Sequence, residues 1–244
     1  MGELNLLEKS HPQSTKRRVE PGWRTIENKI IAKRYDKEFF DGDRVNGYGG
    51  YYYDGRWRHV VEALKKFYGI NENSSVLDIG CAKGFLLFDL QEMIPGIKVA
   101  GIDISEYAIN KAMDGYANYL VKQGLSDEEA RKKEEEARNK ILPHMIAGSC
   151  EKLPWRDNSF DVVLAINTIH NLPVEKCRTA LKEIMRVYKP QGHKFISVDA
   201  YRDEEQKKRM EYWVLTAETV MSVDDWIKFY QESGYDGDYS WFIA

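Results

Sequence analysis

Ser75-Val76-Leu77-Asp78-Ile79-Gly80-Cys81-Ala82-Lys83-Gly84 reads as an apolar strand that breaks into a glycine-containing turn. A helical pattern follows the turn, and a second apolar run, Val99-Ala100-Gly101-Ile102, ends in the carboxylate of Asp103. A strand, a glycine turn, a helix and a second strand ending in an acid form the pattern of a nucleotide-binding βαβ unit. The stretch therefore predicts that this chain binds a nucleoside, and an adenosine is the first hypothesis.

The two glycines and the acid have separate physical roles in this prediction. Gly80 and Gly84 lack Cβ atoms, so the backbone can turn sharply and approach a ligand closely. Asp103 can accept hydrogen bonds from the two hydroxyls of a ribose. The alternative is a turn that only reverses the chain, with Asp103 capping the helix near Glu106. The acid at this distance on a second strand favours the nucleoside.

The string VLDIGCAKG resembles the first motif of the class I S-adenosylmethionine-dependent methyltransferases, a strand followed by Asp-x-Gly-x-Gly-x-Gly. Ala82 stands where a glycine is common; its methyl group is tolerable if φ is negative there, but it narrows the room beside the methionine part of the cofactor. Ser149 stands where an acid often contacts adenine. The resemblance covers about residues 60–200 and continues through Asp103, Ala147-Gly148-Ser149-Cys150-Glu151-Lys152-Leu153-Pro154-Trp155, Asn158-Ser159-Phe160-Asp161-Val162-Val163-Leu164-Ala165-Ile166-Asn167 and Ile184-Met185-Arg186-Val187-Tyr188-Lys189-Pro190-Gln191-Gly192.

This resemblance implies a fold, a cofactor and a set of binding residues. The implied fold is α/β and Rossmann-like: a doubly wound, mostly parallel sheet of six or seven strands with helices on both faces. The implied cofactor is S-adenosyl-L-methionine. The cofactor-binding candidates are Asp78, Gly80, Cys81, Ala82, Gly84, Asp103, Ile104, Ser149, Cys150, Asn167 and Tyr53.

Length and composition are consistent with one soluble domain. The 244 residues include 43% hydrophobic side chains, enough for a buried sheet, and the net charge of −3 argues against a nucleic-acid partner. No run of 18 apolar residues and no signal peptide occurs, so we expect a cytoplasmic protein without membrane association. Cys81, Cys150 and Cys177 lie far apart without metal-ligand spacing, and we expect no metal site.

The chain divides into an arm and a domain. Residues 1–25 are polar and contain Pro12 and Pro21, which predicts a mobile amino-terminal arm, and residues 26–244 form a single methyltransferase domain. Residues 41–57 are rich in glycine and tyrosine, which favours a lid over the cofactor, although such loops also pack without a ligand.

Two later segments carry weaker predictions. Residues 114–142 form a predicted helical insertion that contains the capping box of Ser126 and Glu129 and several Glu-to-Lys or Glu-to-Arg pairs four residues apart. Its thin apolar stripe favours a solvated lid or spacer over a partner-binding helix. Near the end of the chain, Tyr212 to Ala217 is a candidate partner strand for Tyr239 to Ile243, within an antiparallel hairpin.

The catalytic candidates follow strands, since ligands of open α/β sheets bind outside the carboxyl ends of the strands. Asn167 and His170 follow one buried strand, and Arg202 follows the next. His170 could take a proton from a hydroxyl acceptor, or it could simply pack at the strand end. Arg202 could clamp a phosphate or carboxylate, or it could pair with Asp203 or Glu204 at the surface.

The sequence thus leads to a functional hypothesis with two rivals. The hypothesis is methyl transfer from S-adenosyl-L-methionine to an oxygen or nitrogen of a small, polar and anionic metabolite. Strings around residues 167–172 and 198–202 resemble predicted methyltransferases of bacterial surface-sugar gene clusters, which implies a nucleotide-linked sugar or capsule precursor as acceptor. The rivals are a protein or RNA methyltransferase and a non-catalytic nucleoside-binding module.

Overall fold

The structure is a computed structural model that describes residues 2–11 and 17–244. Its β-strands are β1 (Ser75–Ile79), β2 (Lys98–Asp103), β3 (Met145–Ala147), β4 (Phe160–Ile166), β5 (Tyr188–Tyr201), β6 (Met221–Ser222) and β7 (Asp238–Phe242). Its α-helices are α1 (Ile26–Ala32), α2 (Lys37–Phe40), α3 (Trp57–Tyr68), α4 (Phe85–Met93), α5 (Glu106–Asn110), α6 (Tyr116–Lys122), α7 (Asp127–Ile141), α8 (Val174–Val187), α9 (Glu204–Trp213) and α10 (Val223–Glu232). Short 3₁₀ turns cover Leu142–His144 and Ile169–Asn171.

The strands form one parallel sheet in the order β3-β2-β1-β4-β5, and both β6 and β7 pair with β5. All five residues of β1 are buried because helices cover both faces of the sheet. Val76 belongs to one apolar cluster with α3 and α4, whereas Leu77 and Ile79 belong to a second cluster with α8 and α10. This arrangement confirms the predicted doubly wound α/β fold.

The end of the chain differs from the predicted hairpin. Tyr212 and Trp213 are the last residues of α9, which begins where the Asp203 side chain accepts a hydrogen bond from the Gln206 N–H. β7 runs parallel to β5, with Phe242 opposite Asp199. The reason is the connection: α10 carries the chain back across the sheet, so the last strand enters from the same end as β5.

The amino-terminal residues in the structure do not form the predicted mobile arm. Leu6 and Leu7 are buried in the cluster under α3 and α4, and Leu4 donates a backbone hydrogen bond to Tyr239. Residues 1 and 12–16 of the predicted arm lie outside the described residues. None of the helices in the described part of the chain is both long and apolar enough to span a bilayer.

The helical insertion forms α6 and α7, and the capping box of Ser126 and Glu129 is present. The predicted pairs four residues apart do not form among the described residues of α7. Its charged side chains reach neighbouring elements instead: Lys140 pairs with Glu92 on α4 at 2.6 Å, and Glu134 accepts the Ala117 N–H of α6 at 2.8 Å. Interhelix partners compete successfully here because the weak pairing along one exposed helix contributes only tenths of a kcal/mol.

Candidate cofactor and acceptor site

The glycine turn between β1 and α4 is clasped to the end of β2. The N–H groups of Gly80 and Cys81 both donate to the Ile102 carbonyl, at 2.7 and 3.2 Å. Gly80 has a φ of 82°, and a Cβ there would lie 2.1 Å from Thr168 Oγ1. The glycine is therefore required both by its left-handed backbone and by the close approach of the loop after β4.

Ala82 has a φ of 49°, so the negative φ that would make an alanine easy to accommodate at this position is not present. A left-handed conformation costs a non-glycine residue roughly 1–2 kcal/mol. Two contacts offset this cost: the Ala82 N–H donates to Asp103 Oδ2 at 2.8 Å, and its methyl group packs in a buried cluster with Phe40 and Ala108. The turn is thus shaped to present a backbone N–H to the acid of β2.

Asp103 ends β2 and lies at the centre of the site. Its Oδ2 accepts the Ala82 N–H and its Oδ1 accepts the Ser105 N–H, both at 2.8 Å. Burial raises the pKa of Asp103 even though these two hydrogen bonds oppose the shift. Since a carboxylate oxygen can accept two hydrogen bonds, each oxygen keeps a position for a ribose hydroxyl.

Asp78 is a second buried carboxylate, on β1. No described residue donates a hydrogen bond to its side chain or forms an ion pair with it. Burial and the charge of Asp103 raise its pKa to about 7. The site therefore carries an excess of negative charge, which a ligand with positively charged groups would relieve.

The third cofactor-side element is the loop after β3. Ala147 is the register partner of Asp103, and the Gly148 N–H donates to the Asp103 carbonyl at 2.8 Å. Ser149 follows, and its hydroxyl lies 3.2 Å from a carboxylate oxygen of Glu151. A carboxylate thus does stand in this loop, two residues later than sequence comparison would place it. Cys150 is buried, and burial raises the pKa of its thiol to about 12.

Ile104 is an apolar side chain exposed beside a polar centre. It follows Asp103 directly, and 58% of its surface is accessible to solvent. Such a surface next to a ribose-binding carboxylate suits the flat face of an adenine ring. The residues on this side of the sheet therefore fit S-adenosyl-L-methionine. They offer hydrogen-bond acceptors for the ribose, an apolar surface for the base, and unpaired negative charge for the cationic end.

Tyr53, predicted to bind the cofactor, lies elsewhere. It is buried in the core between α4 and α6, with its ring 4.9 Å from Tyr116 and 5.0 Å from Tyr119. Its hydroxyl donates to Asp89 on α4. The structure therefore corrects this assignment: the Tyr53 hydroxyl reaches Asp89, and the ring packs edge-on against Phe88 of α4 and Tyr116 of α6, which holds it in the core.

Two other tyrosines of the 41–57 segment face the site instead. Tyr51 stacks on Phe85 with ring centroids 5.2 Å apart. Burial raises the Tyr51 pKa well above its usual value, and the charges of Asp78 and Asp103 raise it further. Tyr48 packs against Tyr51 at 4.6 Å. Although 45% of Tyr48 is exposed, desolvation around its hydroxyl and the charges of Asp103 and Asp199 raise its pKa to about 12, while Arg44 opposes the shift. Both hydroxyls thus lie within electrostatic reach of the acids at the sheet edge.

The same segment is tied to the glycine turn by a buried ion pair. Lys83 is fully buried, and its Nζ lies 2.8 and 2.9 Å from the two carboxylate oxygens of Asp41. The Tyr107 hydroxyl also donates to Asp41 at 2.8 Å. Burial alone would raise the Asp41 pKa, but these hydrogen bonds hold it below its usual value. Sequence reasoning missed this pair because a lysine within a glycine motif gives no sign of its partner.

The acceptor side of the site lies at the ends of β4 and β5. Asn167, with a φ of 51°, donates its N–H to the Ser197 carbonyl at 2.9 Å and accepts from the Ser197 hydroxyl at 3.1 Å. Three residues later, His170 is buried against Asp199 of β5. The structure thus brings Asn167 and His170 to one edge, as their positions after β4 predict.

The hydrogen bonding of His170 argues against the general-base role predicted for it. The Asp199 N–H donates to Nδ1 at 3.2 Å, so a neutral imidazole must carry its proton on Nε2. Nε2 lies 3.6 Å from Asp199 Oδ2. Burial lowers the pKa of His170, although the Asp199 charge opposes the shift. The ring therefore has no free acceptor nitrogen for a substrate proton.

Arg202, predicted as an anion clamp, lies at the surface. Its guanidinium pairs with Glu3 at 3.1 Å, and both side chains are about half exposed. The partner comes from the amino-terminal residues that run beside β7, not from Asp203 or Glu204. The structure therefore does not support a catalytic role for Arg202.

The described residues contain no cluster of three histidine, cysteine, aspartate or glutamate side chains that could hold a metal ion. What they do contain, at the carboxyl edge of a doubly wound parallel sheet, is a glycine turn beside a buried carboxylate, Asp103, that two backbone N–H groups hold in place. Residues 70–234 match the family described as a methyltransferase domain, and this chain belongs to that family.

Two curated relatives are each about one third identical to this chain over the aligned residues. The sterol 4-C-methyltransferase strm-1 of Caenorhabditis elegans is 32% identical over 150 residues, which cover 62% of this chain and 37% of the relative. The demethylmenaquinone methyltransferase of Lactococcus lactis subsp. lactis is 32% identical over 153 residues, covering 62% and 51%. The chain thus spans about a third to a half of the length of these curated relatives.

Solved structures show the same fold. The [4+2]-cyclase SpnF has a TM-score of 0.51 and 18% identity, over 72% of this chain and 56% of the other. The MccD protein has a TM-score of 0.50 and 24% identity, over 70% and 68%. Because one of these proteins is a cyclase, the architecture alone does not assign a reaction, and the argument must rest on the site.

Proposed function

We propose that this chain is an S-adenosyl-L-methionine-dependent methyltransferase that methylates an oxygen or nitrogen of a small, polar and anionic metabolite. The observation that carries the proposal is Asp103, a buried carboxylate at the carboxyl end of β2 whose two oxygens are each fixed by one backbone N–H. This preorganised acceptor suits the paired hydroxyls of a ribose. Membership of the methyltransferase family supports the choice of nucleoside.

Each part of the cofactor would have a group of residues to hold it. Asp103 would bind the ribose, Ile104 would cover the base, and the loop at Ser149 and Cys150 would border the adenine edge. Asp78, at the other side of the turn, would face positive charge. When bound, the cofactor supplies an electrophilic methyl group whose leaving group departs neutral, so alignment and exclusion of water matter more than acid assistance.

The proton of the acceptor would go to Asp199 rather than to His170. Burial raises the pKa of Asp199, whereas the charges of His170 and Arg24 oppose the shift. A carboxylate with a raised pKa is a better base near neutral pH. His170 would act as a positioning residue, since its Nε2–H faces one oxygen of Asp199 while its Nδ1 fixes the Asp199 backbone.

Polar lining supports a polar acceptor of limited size. The relatives named above are a sterol and a demethylmenaquinone methyltransferase, which by name act on apolar molecules. Here the acceptor side instead contains Asp199, Asn167 and the charge of Arg24. The 41–57 segment, which we infer to be a lid, packs against the glycine turn and α5 through Asp41. A nucleotide-linked sugar or a related precursor fits these features.

Calorimetry tests the cofactor assignment. We expect S-adenosylmethionine and S-adenosylhomocysteine to bind to the wild-type protein and NAD not to bind. Asp103→Ala should weaken S-adenosylhomocysteine binding by about 1.5–3 kcal/mol, since hydrogen bonds to a charged group are lost. Asp127→Ala, on the exposed first turn of α7, is the matched control and should bind normally. Binding of NAD alone, or unchanged affinity of Asp103→Ala, would contradict the proposal.

Transfer of a labelled methyl group separates the classes of acceptor. The protein is incubated with cell extract and methyl-labelled cofactor, and the products are fractionated by size. Label in the low-mass fraction supports a small-molecule acceptor. Label in protein or RNA would show that the acceptor is a macromolecule and would contradict the proposed small-molecule acceptor. Cofactor binding without any transfer would favour a non-catalytic binding module.

A further inference from the structure

Arginines converge on one tryptophan beside the acceptor side of the site. The Arg24 guanidinium carbon lies 4.6 Å from the ring centroid of Trp213, and that of Arg44 lies 5.6 Å from the same centroid. Arg17 lies 6.0 Å from it. The positive groups come from distant parts of the chain, before α1 and from the 41–57 segment, so the fold itself brings like charges together.

Arg24 and Arg44, the two arginines nearer to the Trp213 ring, have no direct contact with an acidic side chain in the described part of the chain. Among the described residues, neither Arg24 nor Arg44 forms an ion pair with a carboxylate. Each has one backbone partner: Arg24 donates to the Trp213 carbonyl and Arg44 to the Gly47 carbonyl. The Nε of Arg24 is buried with no hydrogen-bond acceptor in the described chain. An unpaired N–H on a cation is costly, and because the protein covers this Nε, an anionic ligand would bind through the outer N–H groups of the two guanidinium groups.

The electrostatic consequences are visible on the arginines themselves. Burial and the nearby charge of Arg44 lower the Arg24 pKa to about 10, while Asp199 opposes this shift. Burial also lowers the pKa of Arg44. Both groups remain cationic at neutral pH, and the charge of Asp199 offsets only part of the effect of burial and of Arg44 on Arg24.

The arginine cluster adjoins the proposed base. Trp213 stacks on Phe242 with ring centroids 5.5 Å apart, and Phe242 is the register partner of Asp199 in the sheet. Arg44 packs along Gly49, next to Tyr48, whose hydroxyl is within electrostatic reach of both Asp103 and Asp199. A molecule reacting at Asp199 would therefore extend toward Arg24 and Arg44.

We propose that Arg24 and Arg44, held against Trp213, bind a phosphate or pyrophosphate group of the methyl acceptor. A group with more than one negative charge matches the two guanidinium groups better than a single carboxylate does, and guanidinium is the cation best suited to bidentate contact with phosphate oxygens. This inference rests on the proposed function for the identity of the ligand as acceptor. The subsite itself exists independently of methyl transfer.

Calorimetric titration with sodium pyrophosphate, at constant ionic strength, tests the subsite. Wild-type protein should bind pyrophosphate more tightly than acetate. Arg44→Gln and Arg24→Gln should each weaken pyrophosphate binding about tenfold or more, whereas Arg44→Lys should retain part of it. Arg131→Gln, an equal change of charge on the exposed face of α7, is the control and should bind like wild type.

S-adenosylhomocysteine binding, measured on the same samples, keeps the two proposals apart. Retained S-adenosylhomocysteine affinity in the arginine variants shows that they fold and that the cofactor side is intact. Pyrophosphate binding that is absent in wild type, equal to that of acetate, or unchanged in Arg44→Gln would overturn the subsite. If the wild-type protein binds pyrophosphate but not S-adenosylhomocysteine, the proposed function is wrong, whereas the anion site is supported.

Discussion

Three aspartates at one sheet edge differ in what surrounds them, and this difference assigns their roles. Asp103 is held by two backbone N–H groups, Asp199 faces an imidazole N–H, and Asp78 has no donor among the described residues. A carboxylate with fixed donors is a rigid acceptor, one beside a polarised ring can exchange a proton, and one without partners attracts a cation. Residue type alone does not distinguish these cases.

Asp199 and His170 give a pH-dependent prediction. Asp199→Asn should lower kcat roughly 100-fold or more, because the proton acceptor is lost, while S-adenosylhomocysteine affinity stays the same. His170→Gln should move the acidic limb of the kcat profile to higher pH: the carboxylate loses the neighbour that lowers its pKa, so it becomes protonated earlier as the pH falls. The rate of methyl transfer from the labelled cofactor to the low-mass fraction of the extract, measured from pH 5 to pH 9, checks both expectations.

A control and a contrary result accompany this prediction. His193→Gln changes a second histidine, on the strand that carries Asp199; its ring stacks on Tyr68 with centroids 4.3 Å apart, away from the site. It should leave the profile in place. An unshifted acidic limb in His170→Gln, with full activity in Asp199→Asn, would remove both residues from the proton path.

Asp78 predicts a dependence of stability on pH in the ligand-free protein. Its pKa of about 7 when folded lies above the unfolded value of about 4, so the folded state binds more protons between these values and stability falls as the pH rises from about 4 to 7. Asp78→Asn should remove roughly 2–4 kcal/mol of this fall. Urea unfolding of both proteins at pH 5 and pH 8 measures it.

The comparison depends on the slope rather than on absolute stability, since asparagine also needs hydrogen-bond partners in a buried place. Asp89 has a pKa of about 7 through burial too, and its contribution is common to both proteins. If the difference between pH 5 and pH 8 is equal in Asp78→Asn and in wild type, Asp78 is not the titrating group.

At the scale of elements, the main feature is the attachment of the 41–57 segment to the glycine turn. Lys83 belongs to the turn and Asp41 begins the segment, so one buried ion pair joins the cofactor loop to the chain that covers it. Tyr51 continues the contact by stacking on Phe85, the first residue of α4. The segment and the turn are therefore expected to move and to unfold together.

Removing one member of this pair should be costly. Asp41→Asn removes the nearer carboxylate beside the buried Lys83 and leaves only Asp114, at 4.0 Å, so it should destabilise the protein by about 2–3 kcal/mol. The double variant Asp41→Asn with Lys83→Met should recover a large part of the loss, because no unpaired charge remains. Denaturant unfolding of the two single variants and the double variant gives the coupling energy.

The exposed pair between Lys140 and Glu92 provides the matched comparison. Its distance of 2.6 Å is shorter than that of the buried pair, yet both side chains are more than 40% exposed. Glu92→Gln should therefore cost less than 1 kcal/mol. Equal costs for Asp41→Asn and Glu92→Gln would show that the buried pair does not hold the segment.

At the scale of elements, the sequence could predict features that are determined by neighbouring residues. The first strand, the glycine turn and Asp103 are specified by neighbouring residues, and the fold inferred from them is confirmed. Tyr53 was misplaced because the choice of which tyrosine faces α4 depends on packing across the sheet edge. The partner of Arg202 lies 199 residues away at Glu3, and no local pattern indicates a contact of that kind.

At the scale of the molecule, the site is assembled from parts remote in sequence. The cofactor side comes from β1 to β3, the acceptor side from β4 and β5, and the cover from residues that precede the sheet. Parallel strands bring these parts to one edge, which is why their positions after strands could be predicted. The cover could not, since its contacts are set by tertiary packing.

A ligand that bridges these parts should stabilise the whole molecule and order its cover. At a concentration of about 100 times its Kd, S-adenosylhomocysteine should add about 2.7 kcal/mol to the free energy of unfolding. Hydrogen exchange should slow in residues 41–57 and in the turn at Gly80–Gly84, because the cover and the turn share the Lys83 contact with Asp41. Exchange in the first turns of α7 should change less, since these turns are largely exposed, with Ala130 as their buried residue. Protection confined to the turn, with unchanged exchange in residues 41–57, would show that the cofactor binds without engaging the cover, and the 41–57 segment would then belong to the acceptor side alone.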